Sequence, residues 1–74
     1  AVVAVLSRAA RVRCEVFGTD GRRVRMLDER MAPAGSLSVA WDGRDDRGAT
    51  VPAGLYLVRV RAGTEQRIAR VVLR

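Results

Sequence analysis

The sequence predicts an all-β fold, a small antiparallel β-sandwich of six or seven strands in a single domain, residues 1–74. Several short segments alternate apolar and polar residues with a period of two, which is the pattern of a half-buried strand. Glycine, proline and aspartate separate these segments at intervals of roughly 8–12 residues. No segment has a convincing helical periodicity, so we expect the apolar residues to be buried between two sheets.

The first predicted strand is uncharged, and its first, third and fifth residues share one face. An uncharged, β-prone strand at an end of a chain is also a candidate for adding to the open sheet edge of a neighbouring protein. The residues of this possible edge-strand interface are Val2, Val3, Ala4, Val5 and Leu6.

The second predicted strand, residues 11–17, has the most regular alternation in the chain. Its inward side chains are expected to be Val12, Cys14 and Val16, and its outward side chains Arg11, Arg13 and Glu15. The single cysteine is therefore expected to be a small buried hydrophobic residue. A reactive thiol is the less favoured alternative, because it needs exposure and a nearby activating group.

An Asp20-Gly21 turn is predicted to join the second strand to the third, because Asp-Gly supplies the positive φ angles of a tight hairpin. Met26 and Leu27 are both apolar, which breaks the alternation and indicates a bulge or a twist. The third strand is expected to continue to Met31. A helix over residues 23–31 is the rival interpretation, but it has no N-cap and would bury little surface.

Three further strands are predicted at residues 36–41, 55–62 and 67–74. Their inward side chains are expected to be Leu37, Val39 and Trp41, then Tyr56, Val58 and Val60, then Ala69, Val71 and Leu73. Leu55 and Leu57 share the outward face of the fifth strand, so we expect another part of the molecule to cover the start of that strand.

The segment between the fourth and fifth strands, residues 41–56, has more glycine, proline and aspartate than a simple hairpin needs. One interpretation is a Ca²⁺ site, to which Asp42, Asp45 and Asp46 would present oxygen atoms. The favoured interpretation is a corner that passes the chain between two packed sheets. In that corner Asp42 accepts backbone N–H bonds, and the other two aspartates form a polar turn with Gly48.

The charge composition excludes several classes of function. The formal net charge is +6, and all 14 basic residues are arginine. Because there is no histidine or lysine to act as a base beside a serine, threonine or cysteine, nucleophilic catalysis is not expected. A basic domain attracts polyanions in a salt-sensitive manner. The three aromatic residues, however, occupy expected core positions, whereas a nucleic-acid binder uses aromatic side chains as a stacking surface.

Several motifs occur in order along the chain: residues 20–27, Ala34-Gly35, Trp41-Asp42-Gly43-Arg44-Asp45 followed by Gly48, and Gly54-Leu55-Tyr56. This series resembles the immunoglobulin-like domain of the flagellar hook-capping protein family. Related domains lie at the C-termini of many bacterial secreted enzymes and surface proteins, including the sorting domains of the type IX secretion pathway. The resemblance extends from about Val2 to Leu73, and the ordered series is specific although each motif alone is weak.

The resemblance implies a small immunoglobulin-like antiparallel β-sandwich that has no enzymatic activity and no cofactor. The residues with expected structural roles are Gly21 in the turn, Trp41 and Tyr56 in the core, and Asp42, Gly48 and Gly54 around the corner.

The resemblance also suggests a role. The domain is expected to be the C-terminal module of a longer exported protein, located outside the cell or at its surface. There it would serve secretion sorting, surface attachment or assembly through protein partners, namely the secretion machinery, a neighbouring domain or other copies of itself. One alternative is a subunit of an extracellular filament or hook-cap-type assembly joined by strand addition, and another is a basic polyanion-binding domain. No specific nucleic acid is expected, and no membrane span, since no apolar run approaches ~20 residues.

Overall fold

A computed structural model describes residues 2–74, which form β-strands and connecting turns without a helix. The prediction of an all-β fold is confirmed, and the strands within this range number six. They are β1 (Val2–Leu6), β2 (Ala10–Gly18), β3 (Arg23–Ala32), β4 (Gly35–Val39), β5 (Gly54–Ala62) and β6 (Glu65–Leu73).

The strands form two antiparallel sheets of unequal size. The larger sheet has the order β3-β2-β5-β6, and the smaller sheet pairs β1 with β4. The chain passes between the sheets three times, through residues 7–9, residues 33–34 and the corner at residues 40–53. The predicted crossover at the corner is therefore present, and two short crossovers accompany it.

The core lies between the two sheets, where β1 contacts β5 and β4 contacts β3. Both strands of the small sheet and the strands β2, β3 and β5 of the large sheet contribute to it. The core cluster consists of Ala4, Leu6, Val12, Cys14, Ala32, Leu37, Val39, Val60 and Ala62. Val16 and Val58 are also fully buried and lie opposite each other on β2 and β5. The inward faces predicted for β2 and β5 are thus confirmed at their buried valines.

The strand β1 has one buried face and one exposed face, as its alternation predicts. Ala4 and Leu6 are buried, whereas Val3 and Val5 are each 65% exposed. The two exposed valines lie opposite serine residues of β4. The side chain of Val2, predicted to share a face with Ala4 and Leu6, is not among the described side chains.

The hairpin between β2 and β3 turns at Gly21, whose φ of 84° favours glycine, and the amide of Gly21 donates to the carbonyl of Gly18 at 3.0 Å. Pairing then shifts along β3: Cys14 lies opposite Asp28, but the next residue of β2 lies opposite Met26. Leu27 is therefore the extra residue of a β-bulge, as the paired apolar residues predict. The strand prediction for this segment is confirmed over the helical alternative.

The expectation that Glu15 faces water is wrong, because its side chain is only 4% exposed. Three arginines surround it, so alternation identified the sheet face correctly but did not reveal that other side chains cover that face. The expectation that the start of β5 is covered is also wrong for Leu55, which is 41% exposed. Leu57 is half-buried.

The strand β6 is less buried than predicted. Its inward residues Ala69, Val71 and Leu73 are all half-buried. The small sheet has two strands and β1 lies against β5, so β6 extends beyond the edge of the small sheet. Within residues 2–74 we find no helix that is long and apolar enough to cross a membrane.

Leu37→Ala should destabilise the domain strongly, because Leu37 lies on β4 in the centre of the core and is 5% exposed. We expect the free energy of unfolding to fall by about 2–5 kcal/mol, measured by urea denaturation followed by circular dichroism. The matched control is Val72→Ala on the exposed face of β6, which should cost under about 1 kcal/mol. Equal losses in the two variants would show that the core lies elsewhere.

Candidate functional site

The corner between β4 and β5 is a small hairpin held by its own backbone. The amide of Asp45 donates to the carbonyl of Ala49 at 2.9 Å, and the amide of Gly48 donates back to the carbonyl of Asp45 at 3.0 Å. Gly48 has a φ of 86°, a conformation that favours glycine. The carboxylate of Asp45 accepts from the amides of Arg47 at 2.9 Å and of Ala49 at 3.0 Å. Asp45 therefore stabilises its own turn.

Asp46 attaches the corner to the edge of the large sheet. Its amide donates to the carbonyl of Val24 at 3.1 Å, and its carboxylate accepts from the amide of Met26 at 2.8 Å. These two bonds imitate strand pairing on the outer edge of β3, next to the bulge at Leu27. A single aspartate thus satisfies backbone groups that an unpaired edge would leave open.

Asp42 holds the start of the corner. Its carboxylate accepts a hydrogen bond from the guanidinium of Arg25 at 2.6 Å and another from the amide of Arg44 at 3.1 Å. Each of the three corner aspartates thus accepts hydrogen bonds from β3, from the corner itself, or from both. Within residues 2–74 no three metal-ligating side chains come together, and the calcium interpretation gains no support from this geometry.

Trp41 and Tyr56 pack against each other where the corner leaves and rejoins the sandwich. Their rings are 5.1 Å apart between centroids and meet edge to face at 68°. The indole N–H of Trp41 donates to the carbonyl of Arg44 at 2.9 Å, and the hydroxyl of Tyr56 donates to the carbonyl of Pro52 at 2.6 Å. Both side chains are half-buried and lie outside the core cluster, so they close one end of the sandwich instead of filling its centre.

The outer face of the large sheet contains a buried carboxylate surrounded by arginines. Glu15 accepts a hydrogen bond from Arg59 at 2.9 Å, and Arg13 and Arg23 each lie 3.5 Å from its oxygens. Arg59 also stacks over the ring of Phe17, with 4.7 Å between its Cζ atom and the ring centroid. The cluster covers the outer surface of β2 with arginine side chains.

The charge state of Glu15 follows from this environment. Burial alone raises the pKa of its carboxyl group, because it disfavours the charged form. The hydrogen bonds from Arg59 and Arg23 and the positive charges of Arg13 and Arg59 outweigh burial, and the pKa lies below its ordinary value. Glu15 is therefore ionised at neutral pH and has no proton to donate in catalysis.

Cys14 is free and fully buried, as predicted for a small hydrophobic residue. Burial raises the pKa of its thiol, and the negative charge of Asp28 raises it further, while Arg30 lowers it. The thiol is therefore protonated at neutral pH. A buried, protonated thiol is a poor nucleophile, so this geometry does not favour the reactive alternative.

The remaining candidate site is the outer edge of β1. Within the described residues β1 pairs only with β4, so one side of its backbone has no strand partner. A groove of about 310 Å³ runs along that side. Its walls are residues 3–5 of β1 and residues 67–69 of β6, and its floor includes Val58 and Val60 of β5. The structure therefore places three of the five predicted edge residues, Val3, Ala4 and Val5, beside an open, largely apolar groove, whereas Leu6 belongs to the core.

Comparison with known families bears on this arrangement. The profile of the family described as FlgD Ig-like domain matches residues 1–66. The chain belongs to the FlgD Ig-like domain family. A search of curated proteins finds no match. The family match confirms the resemblance carried by the glycine, tryptophan and tyrosine motifs, and it ends just inside β6, so residues 67–74 lie beyond the matched region.

Sequence reasoning missed two features of this FlgD Ig-like domain. The first is the arginine cluster at Glu15, whose only sequence signal was an acidic residue in a strand otherwise rich in arginine. The second is the groove beside β1, which depends on how two distant strands are placed relative to each other. No local pattern in the sequence reports that distance.

Glu15→Gln should change the response of the domain to acid. Because the pKa of Glu15 is lowered by folding, its contribution to stability is present above the ordinary value of 4.5 and is lost as the pH falls through the lower folded value. The glutamine variant should lose about 1–3 kcal/mol at neutral pH but decline less below about pH 4.5. Denaturation at several pH values measures both effects.

The control for this pH experiment is Glu29→Gln, since Glu29 is exposed and lies 4.0 Å from Arg11. It should leave the acid response close to that of the parent domain. An acid response in the Glu15 variant identical to that of the parent would contradict the role assigned to the cluster.

Trp41→Ala should cost about 1–3 kcal/mol, the sum of a lost aromatic pair and a lost hydrogen bond. This is less than the ~3–5 kcal/mol expected for a fully buried tryptophan. Tyr56→Phe keeps the ring pair and removes only the bond to Pro52, so it should cost about 1 kcal/mol. Thermal unfolding by circular dichroism ranks the two variants. A reversed order would mean that the ring pair does not hold the corner.

Proposed function

We propose that this domain is a non-catalytic interaction module of an exported protein, and that it serves assembly, sorting or surface attachment through protein partners. Membership of the FlgD Ig-like domain family supports an assembly-related role. The observation that carries the proposal is the uncharged, unpaired edge of β1, on which Val3 and Val5 are each 65% exposed. An open apolar edge of this kind is a ready template for another chain.

The polar and reactive groups elsewhere in the domain are bonded internally or buried, which favours β1 as the contact surface. The corner aspartates are engaged in internal hydrogen bonds, and the edge of β3 is bonded to Asp46. The thiol of Cys14 and the carboxylate of Glu15 are buried. These groups are therefore unavailable for chemistry on a substrate, whereas β1 is available for contact with a partner.

The location proposed for the domain is outside the cell or at its surface, as the C-terminal module of a longer chain. A role in type IX sorting, a role in a hook-cap-type assembly and a role as a filament subunit all use protein contacts. They differ in the partner, which is the secretion machinery, another protein or another copy. Each of them would place an extended segment of the partner on the edge of β1, so a test of that edge addresses the shared step.

The polyanion-binding alternative is favoured by one observation, the uneven distribution of arginine. Within residues 2–74, the arginines outside the ion pairs are Arg8, Arg47, Arg61, Arg67, Arg70 and Arg74, and most of these lie on β5, on β6 or just after it. Against it, Trp41 and Tyr56 stack on each other and Phe17 lies under Arg59, so the aromatic rings do not form an open platform for bases.

Fusion of residues 1–74 to a reporter protein in the source organism tests the interaction role. The folded domain should confer export or surface retention, and Val3→Lys combined with Val5→Lys should reduce both to the level of the unfused reporter, because lysine blocks strand addition at an edge. Both valines are exposed, so the variant should still fold. The matched control is Val72→Lys, which adds a charge at an equally exposed apolar position on β6.

Two outcomes would contradict the interaction role. The first is a reporter whose export and retention are the same with and without the domain. The second is retention that survives the double lysine variant but is released by heparin or by added salt, which would indicate polyanion binding instead.

A further inference from the structure

Within residues 2–74, the unequal sheets leave one strand position unoccupied on the inner face of the sandwich. The small sheet lies with β1 against β5 and β4 against β3. The large sheet continues past β5 to β6, whose inward residues Ala69 and Val71 are only half-buried. Neighbouring strands in a sheet are about 4.8 Å apart. The next strand position beyond β1 therefore lies on the β6 side of the sandwich, where residues 3–5 and 67–69 line the groove of about 310 Å³.

The edge of β1 is the least protected of the four sheet edges. The edge strand β6 carries Arg67 and Arg70, and charged residues discourage pairing at an edge. The edge of β3 is bonded to Asp46 of the corner. The edge strand β4 has two serines on its exposed face. By contrast, β1 is made only of valine, alanine and leucine.

The vacant position fits one strand but not a second folded copy of the domain. If two copies paired symmetrically through β1, the two-fold axis would lie half a strand spacing beyond β1, or about 2.4 Å. Since β5 lies under β1 and β6 follows it, that axis would place β6 of each copy on β5 of the other. Two intact sandwiches would therefore collide, whereas a single extended segment has room.

The charge around the groove selects the chemistry of that segment. Arg67 lines the groove. Its guanidinium donates to the carbonyl of Gln66 at 3.0 Å and takes part in none of the ion pairs within residues 2–74. Most carboxylates of the domain lie on β2, on β3 and in the corner, away from this side. Of the other two, Asp20 lies in the turn between β2 and β3, and Glu65 accepts from the hydroxyl of Ser7. An acidic side chain from outside would complement Arg67.

We propose that the groove between β1 and β6 accepts one extended segment of a partner protein, which adds to β1 as a third strand of the small sheet. The segment alternates apolar residues, which pack over the half-buried Ala69, with polar ones, and it carries an acidic residue that pairs with Arg67. This inference rests on the proposed interaction role and names the chemistry of the partner. Backbone pairing to β1 supplies affinity, and the carboxylate selects the register.

A capped nine-residue peptide is the probe, with valine and threonine in alternation and one glutamate at a central valine position. We expect it to bind the purified domain, measured by titration with NMR detection, and to shift the amide signals of β1 and the side-chain signals of Arg67. A matched peptide with lysine in place of glutamate should bind about tenfold more weakly or worse. A glutamate peptide with alternate N-methylated amides should not bind, because it cannot pair with the strand edge.

Charge reversal in the domain gives the reciprocal test. The Arg67→Glu variant should no longer bind the glutamate peptide and should bind the lysine peptide. The Arg61→Glu variant, changed on the outer face, should keep the preference of the parent domain for the glutamate peptide. Arg67 and Arg61 are both exposed, so neither variant should disturb folding. Equal binding of all three peptides, or no binding of the glutamate peptide at about 1 mM, would overturn the proposal.

Two further outcomes assign the groove to other occupants and also overturn the proposal. Sedimentation that shows concentration-dependent dimers, abolished by Val3→Lys, would identify a second copy as the occupant. Displacement of the peptide by heparin at low salt would identify a polyanion. Peptide binding without any effect of the domain on the reporter would reject the proposed function while leaving the groove assignment intact. An effect on the reporter that is lost in the double lysine variant, without peptide binding, would support the proposed function and reject the groove assignment.

Discussion

A four-stranded sheet has to be covered here by a sheet of two strands, and most features of the domain follow from that constraint. The strands β1 and β4 cover the middle of the large sheet, where the buried cluster lies. One end is closed by the corner, through Trp41, Tyr56 and the hydrogen bonds of Asp46 to β3. In the part of the chain that the structure describes, no strand covers the inner side of β6 in this way. Because the small sheet has only two described strands, one end of the large sheet is closed by the corner and the side near β6 is left as an open groove.

On the outer face of the large sheet, arginine side chains cover apolar surface that the small sheet does not reach. A stem of several methylene groups covers apolar surface while the guanidinium stays in water, and Arg59 does this over Phe17. The same guanidinium pairs with Glu15, so a buried carboxylate keeps its charge. Arginine thus contributes to stability on this face, and the net charge of +6 is not by itself a sign of a nucleic-acid partner.

Much of the fold could be predicted from the sequence because alternation reports directly which face of a strand is buried. It identified the buried valines of β2 and β5 and the two faces of β1, and the adjacent Met26 and Leu27 indicated the bulge. Alternation failed where burial depends on distant parts of the chain. Glu15 is covered by arginines from three strands, and Leu73 on β6 is half-buried because the small sheet ends before it. For the same reason the residues of the β1 edge could be named, but the groove beside them could not.

The pairing of β1 with β4 has a consequence for how the chain folds. The hairpins β2–β3 and β5–β6 join neighbouring segments and need only short loops to close. The partner of β1 is β4, which follows both β2 and β3 in the chain. Contacts between distant segments form late, because the loop between them has to be ordered first. We therefore expect β1 to be paired late in folding, so that pulsed hydrogen exchange during refolding protects its amides after those of β2. Protection of β1 as early as that of β2 would contradict this order.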